Sequence, residues 1–111
     1  MKARVAVLKC GGAIAADAAE GVLAFAQTHD VVVVHGAGPQ ISTEMRRRGL
    51  DVRFVNGRRY TTAAALEVVR ESLAEVNAAL VAAIGRRALG LMGDEIGLEA
   101  QPVPKLGLVG D

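Results

Sequence analysis

Val5-Ala6-Val7-Leu8-Lys9-Cys10-Gly11-Gly12 and Val31-Val32-Val33-Val34-His35-Gly36-Ala37-Gly38-Pro39-Gln40 each carry an apolar run straight into a glycine turn. Apolar runs without polar alternation fit strands covered on both faces, as in a parallel α/β sheet. Ligands of such sheets bind beyond the carboxyl ends of the strands, where both glycine turns fall. The two segments therefore predict an α/β fold with a site for phosphate and a carboxylate at one sheet edge.

The rest of the composition narrows the classes of function. With 111 residues and 51% hydrophobic content, the chain has the length of one domain and enough apolar surface to bury a core. Net charge is +1, aromatic residues are 3%, and no basic run is longer than Arg46-Arg47-Arg48. Neither an electrostatic footprint nor a stacking platform for nucleic acid is present, so nucleic acid is not an expected partner. Cys10 is the only cysteine and cannot form an intramolecular disulfide. The apolar stretches are too short or too interrupted by charge to span a bilayer, and no secretory leader pattern opens the sequence. The expectation is a cytoplasmic chain with no membrane partner.

Outward from the two quoted segments, the pattern predicts a strand over about Arg4 to Lys9, a helix over about Ala15 to Gln27 weakened by Gly21, and a strand over Val31 to His35. Pro39 can open a second helix, because its missing N–H is not needed in a first turn, and Gly49 closes it after three arginines suited to the helix's negative end. Asp51 to Val55 reads as a short strand, and Asn56-Gly57 as a turn pair suited to positive φ. Thr61 or Thr62 can cap a helix over about Ala63 to Ile84, where Leu66, Val69, Leu73, Val76, Leu80 and Ile84 recur at helical spacing. Gly85 ends it. Such a stripe can pack on the sheet and still offer surface to a second subunit, so a homodimer contact through this helix is expected. Ala88 to Met92 reads as another buried strand, Leu98 to Val103 as a weaker one, and Leu106 to Val109 as an apolar stub.

Several side chains at the two turns carry chemistry. Lys9 is one of three lysines and stands at a strand end against Gly11 and Gly12, where its ammonium could reach a phosphate; it could equally be a lysine leaving the sheet edge for water. Gly11 and Gly12 would let backbone N–H groups approach an anion, but glycine also makes ordinary strand-to-helix turns. His35-Gly36-Ala37-Gly38-Pro39 is the stronger signal, since a proline-started helix after small residues gathers unpaired N–H groups around one point. His35 reads as a strand-end residue, Cys10 as a small core residue and His29 as a surface residue, and no metal-ligand spacing occurs. In Asn56-Gly57-Arg58-Arg59-Tyr60-Thr61 a guanidinium could clamp a carboxylate, or both arginines could simply be solvated.

Leu8-Lys9-Cys10-Gly11-Gly12, the block Val31 to Ile41, Phe54 to Thr61 and Ala88 to Gly93 together resemble the N-acetylglutamate kinases of the amino acid kinase superfamily. The resemblance runs from Val5 to Asp111, and its specificity lies in pairing His-Gly-x-Gly-Pro-Gln-Ile with Phe-Val-Asn-Gly-x-Arg-x-Thr. It implies a three-layer αβα sandwich with a mainly parallel sheet, of which residues 1–111 are the N-terminal, substrate-binding lobe. The C-terminal, nucleotide-binding lobe is expected to lie outside this chain, which reads as a fragment.

The implied activity is transfer of the γ-phosphoryl group of ATP, accompanied by Mg2+, to the side-chain carboxylate of N-acetyl-L-glutamate in arginine biosynthesis. Carried over by position, Lys9 stabilises the transferring phosphoryl group, Gly11 and Gly12 place N–H donors near it, Gly36, Ala37 and Gly38 hold the substrate through backbone groups, and Arg59 rather than Arg58 binds its carboxylate. No residue is assigned to a metal. Ala37 replaces the middle glycine of the family's usual triple, which would strain or reshape the turn if that position needed positive φ. Gly90-Leu91-Met92-Gly93 has methionine where a small or hydroxyl residue is common, and Asn77, in the long helix, reads as structural. Two other functions fit the same residues: a non-catalytic module that binds an acylated amino acid or dimerises, and a kinase for carrier-bound aminoadipate or glutamate.

Overall fold

The computed structural model describes residues 4–111. Strand β1 (Val5–Cys10) leads through a 3₁₀ turn at Ala15–Asp17 to helix α1 (Ala19–Ala26), strand β2 (Asp30–His35) and helix α2 (Gly38–Arg47). The short strands β3 (Phe54–Val55) and β4 (Arg58–Arg59) precede the long helix α3 (Ala63–Ile84), and two further 3₁₀ turns occupy Gly93–Ile96 and Pro104–Leu106. The chain is α/β, with β1 and β2 parallel and paired from Val5↔Asp30 to Cys10↔His35. Because that register brings both strands to an end at the same edge, the two glycine turns emerge side by side.

Each helix end has a local cause. Helix α2 stops in a Schellman motif: Gly49, at φ 74°, donates to the Arg46 carbonyl while the Leu50 amide reaches back to Met45 over 2.8 Å. Of the two threonines that could cap α3, Thr62 does so, accepting from the Ala65 amide at 3.2 Å. The helix ends at Gly85, whose φ of 109° is open to glycine alone at little cost. Asn56 and Gly57 both have positive φ, 51° and 79°, and join β3 to β4 as the turn pair predicts. The helix expected over Ala15 to Gln27 is broken into a 3₁₀ turn and α1, which meet at Ala18.

The core gathers Cys10, Ala15, Ala37, Ile41, Met45, Ala65, Val68 and Val76, with Val33, Leu50, Val52, Val69 and Leu73 partly buried against it. Helix α3 packs against α1, α2 and the 3₁₀ turn at Ala15–Asp17. Its fully buried seam is Ala65, Val68, Ser72, Val76 and Leu80; Val76 and Leu80 belong to the predicted stripe, whereas its Leu66, Val69, Leu73 and Ile84 are only half-buried.

The sheet departs from its expected double cover. Ala6, Leu8 and Cys10 alternate with Val5 and Val7, which are 67% and 66% exposed, and Val32 and Val34 are each 50% exposed. The described helices pack on the Cys10 and Val33 side, so one apolar face stands open. The strand expected over Ala88 to Met92 does not form. Ala88 and Leu89 instead line, together with Val31, Val33 and His35, a groove of about 490 Å³. Of the weaker strands expected after it, only isolated bridges form, Pro102↔Gly110 and Thr61↔Gly107. No helix of the described residues is long and apolar enough to cross a membrane.

Candidate functional site

The first turn, Lys9 to Gly12, and the second, His35 to Gly38, are in direct contact. The Gly36 amide donates to the Cys10 carbonyl at 3.3 Å, continuing the strand pairing one step into the turns. Gly12 is buried, and a β-carbon there would stand 2.6 Å from the Ala37 Cα and 2.8 Å from its nitrogen, so only glycine permits this approach. From the first turn of α2, Gln40 reaches across and donates from Nε2 to the Gly12 carbonyl at 2.8 Å. Gly11 and Gly38, by contrast, are exposed.

Ala37 sits at φ −148° and ψ 28° as the residue preceding α2, so the position does not need a positive φ. The strain anticipated at this position does not arise. Its methyl group is 2% exposed and belongs to the core. The Ile41 amide donates to the Ala37 carbonyl at 2.9 Å, and Pro39 lies in the first turn of the helix, so the helix opens directly from the glycine turn.

The β3–β4 hairpin delivers Arg59 to the same place. Arg59 pairs with Phe54 across the hairpin, and its guanidinium carbon lies 4.9 Å from the centre of the Phe54 ring. From there Nη2 donates to the Gly38 carbonyl at 3.2 Å and to Ser42 Oγ at 3.0 Å, and Nη1 approaches Met45 Sδ at 3.4 Å. Residues 38, 42 and 45 share one face of α2 by helical spacing, so the guanidinium lies along the start of that helix. Partial burial, and then the like charge of Arg46, lower its pKa from the ordinary arginine value. Among the described residues no carboxylate lies within ion-pair distance of Arg59.

Arg58 points elsewhere. It forms an ion pair with Asp111 at 2.6 Å and donates to the Gly110 carbonyl at 3.2 Å. Strand alternation thus separates two adjacent arginines, one to the C-terminal segment and one to the glycine turn. Lys9 is exposed at the end of β1, and no hydrogen bond or ion pair joins it to Arg59 or to the second turn. The structure accordingly brings Gly12, Gly36, Ala37, Gly38 and Arg59 into one contact network, with Gly11 at its edge, and leaves Lys9 reaching into open space.

Gln40 enters the sequence reading only as part of the His-Gly-x-Gly-Pro-Gln-Ile pattern and Ser42 does not enter it, yet one ties the two turns together and the other holds Arg59. Their signal is positional: a polar residue two and four places after Gly38, in the opening turns of a helix that follows a glycine loop. What the assembly offers chemically is a half-buried cation, with no counter-charge among the described residues, beside a helix N-terminus and the exposed Gly38, an arrangement suited to a carboxylate.

The amino acid kinase family model matches residues 4–106 of this chain. Acetylglutamate kinase of Geobacillus sp. (strain WCH70) is 39% identical over 95% of this chain and 46% of its own length. That of Deinococcus radiodurans is 46% identical over 72% of this chain and 32% of its own length, and that of Xanthomonas campestris pv. campestris 37% identical over 97% and 27%. The chain spans less than half of the length of each of these relatives. With a family match over nearly all of its residues, on an α/β scaffold whose parallel strands end in paired glycine turns, this chain belongs to the amino acid kinase family.

Proposed function

We propose that this chain is the substrate-binding lobe of a phosphotransferase that moves the γ-phosphoryl group of ATP to the side-chain carboxylate of N-acetyl-L-glutamate, in arginine biosynthesis. The observation that carries the reading is Arg59, a partly buried guanidinium with no carboxylate partner among the described residues, held against Gly38 and Ser42. Burying part of a charge without a counter-ion is unfavourable, and an anionic ligand would offset it.

In this reading the α-carboxylate of the substrate meets Arg59, and the backbone of Gly36, Ala37 and Gly38 holds the rest of the acylated amino acid. The side-chain carboxylate is then turned toward the Lys9 to Gly12 turn. One of its oxygens attacks the γ-phosphorus, the bond to the β–γ bridging oxygen breaks, and ADP leaves with that electron pair. Lys9 and the amides of Gly11 and Gly12 offset the charge on the transferring group, and the protein's contribution is alignment and charge stabilisation more than covalent chemistry. The exposure of Lys9 suits a group that must meet a second substrate. Mg2+ would arrive on the nucleotide's phosphates, and most of the nucleotide pocket would come from a C-terminal lobe of the kind that the relatives' greater length accommodates. A cytoplasmic location and a homodimer formed through α3 belong to the same proposal.

Calorimetric titration of the chain with N-acetyl-L-glutamate and, separately, with MgATP tests the reading. Binding of N-acetyl-L-glutamate that Arg59→Ala abolishes is the expected result. A folded chain that ignores N-acetyl-L-glutamate, or binds it equally well without Arg59, would overturn the assignment of this site.

A further inference from the structure

We infer that Asn77, on α3, is a positioning residue for the Gly36–Gly38 turn, acting through the imidazole of His35. His35 closes β2 and is followed at once by the turn. Its Nδ1 lies 3.2 Å from the Gly36 carbonyl oxygen, and its Nε2 lies 3.0 Å from Asn77 Nδ2. A carbonyl can only accept, so the Nδ1 contact requires the proton on that nitrogen. In the neutral ring Nε2 is then the acceptor, and the Asn77 amide donates to it. The two bonds are satisfied together by one tautomer, which the Gly36 carbonyl and the Asn77 amide favour jointly.

The bare backbone of Gly90 makes room for this amide. A β-carbon on Gly90 would stand 2.1 Å from Asn77 Oδ1 and 3.0 Å from Val81 Cγ2. Asn77 therefore lies between two irregular pieces of chain, with the 88–92 segment behind it and the His35 ring ahead. It links the longest helix of the lobe to the one turn whose backbone the proposed substrate would touch. Of the other anchors of that turn, the Gly36 amide on Cys10 and Gln40 on Gly12 tie it to β1 and its turn, and Arg59 on the Gly38 carbonyl ties it to the β3–β4 hairpin. Asn77 supplies the tie to α3.

The inference rests on reading Gly36–Gly38 as ligand contacts, but its test does not need the ligand. In the unliganded chain, nitrogen-15 chemical shifts of the His35 ring should show the proton on Nδ1. Asn77→Leu, which cannot donate, should raise the share of the Nε2–H form and speed amide exchange at Gly36 by about 3- to 10-fold, the factor implied by one neutral hydrogen bond. Gly90→Ala keeps both side chains but displaces Asn77, and should give the same two changes. In both variants the dissociation constant for N-acetyl-L-glutamate should rise by about the same factor. A wild-type ring protonated on Nε2, or a tautomer and Gly36 exchange rate unmoved in both variants, would overturn the inference. If the wild-type chain fails to bind N-acetyl-L-glutamate, the functional reading falls, while the tautomer and exchange results still decide the role of Asn77.

Discussion

Gly12 and Ala37 touch backbone to backbone: a β-carbon on Gly12 would lie 2.6 Å from the Ala37 Cα. This contact joins the two glycine turns into one surface. Gly12→Ala should force them apart, because the atom it meets is main chain and cannot rotate away. The expected loss is about 1–3 kcal/mol of stability, the usual cost of overpacking, together with weakened binding of N-acetyl-L-glutamate. Gly11→Ala is the control, since its β-carbon would meet nothing within 4 Å. Denaturant titration of the two variants should separate them, and equal losses would show that the close approach does not matter.

Ala37 predicts the opposite of what its family's glycine triple suggests. Its φ of −148° needs no glycine, and its methyl group is buried. Restoring glycine at this position should therefore destabilise the chain by about 0.5–1 kcal/mol through the added freedom of the unfolded state, with a further loss from the missing methyl contacts. Thermal unfolding of Ala37→Gly measures it; a gain in stability would mean that the turn is strained after all.

The local elements and the parallel pairing of β1 with β2 were legible in the sequence, whereas the pairing of the later segments was not. Helix α3 runs over Ala63–Ile84 as its cap, periodicity and terminal glycine indicate, and the positive φ at Asn56 and Gly57 follows from their residue types. Ala88 to Met92 has the composition of a buried strand, but a strand needs a neighbour, and Ala88 and Leu89 line a groove with Val31, Val33 and His35 instead of pairing with β2. The seam of α3 follows the apolar stripe at Val76 and Leu80 but runs through Ala65, Val68 and Ser72 nearer the helix start, and a polar residue such as Ser72 carries no apolar signal to place it there. At the site, Arg59 could be told from Arg58 only by likeness to the family. The structure supplies the physical reason, which is strand alternation in a hairpin only two residues long on each side.

That alternation gives a third test. Arg58→Ala removes an exposed ion pair to Asp111, and such pairs are worth about 0–1 kcal/mol, so stability should change little and affinity for N-acetyl-L-glutamate not at all. Arg59→Lys keeps the charge but loses the planar fork that reaches Gly38 and Ser42 together. Its affinity should fall by about 10-fold or more, as expected for a charge-assisted hydrogen bond worth roughly 1.5–3 kcal/mol. Equal effects of Arg58→Ala and Arg59→Lys in the same calorimetric titration would remove the distinction between the two arginines.

The acid side of the stability profile should depend on Glu44. Hydrogen bonds from Arg47, then from Arg48, lower its pKa from 4.5 to about 2. A carboxyl whose folded pKa is depressed favours the folded state at pH above its unfolded value, and that contribution is lost as pH falls toward the folded one. The window is therefore about pH 4.5 down to about 2. Glu44→Gln should lower the midpoint of thermal unfolding slightly near neutral pH and flatten its decline across that window. Because the pair is exposed, added salt should shrink the difference. Unfolding midpoints that run parallel for wild type and variant from pH 5 to 2 would show that this cluster contributes nothing.

The open sheet face makes the last prediction. Val5, Val7, Val32 and Val34 present a contiguous apolar surface on the side of β1 and β2 that the described helices leave uncovered. Such a surface favours self-association. Threonine matches valine in shape and in preference for strands, so Val7→Thr with Val32→Thr should leave stability within about 0.5 kcal/mol, the range of ordinary surface changes. The same pair should reduce binding of a hydrophobic dye and the concentration dependence of light scattering. If instead the double variant loses a large part of its stability, those valines are packed in solution, and the face is covered by something the isolated chain makes for itself, a second copy being the simplest candidate. Sedimentation of wild type and variant at matched concentrations distinguishes the two cases, since only a self-paired face would dissociate on substitution.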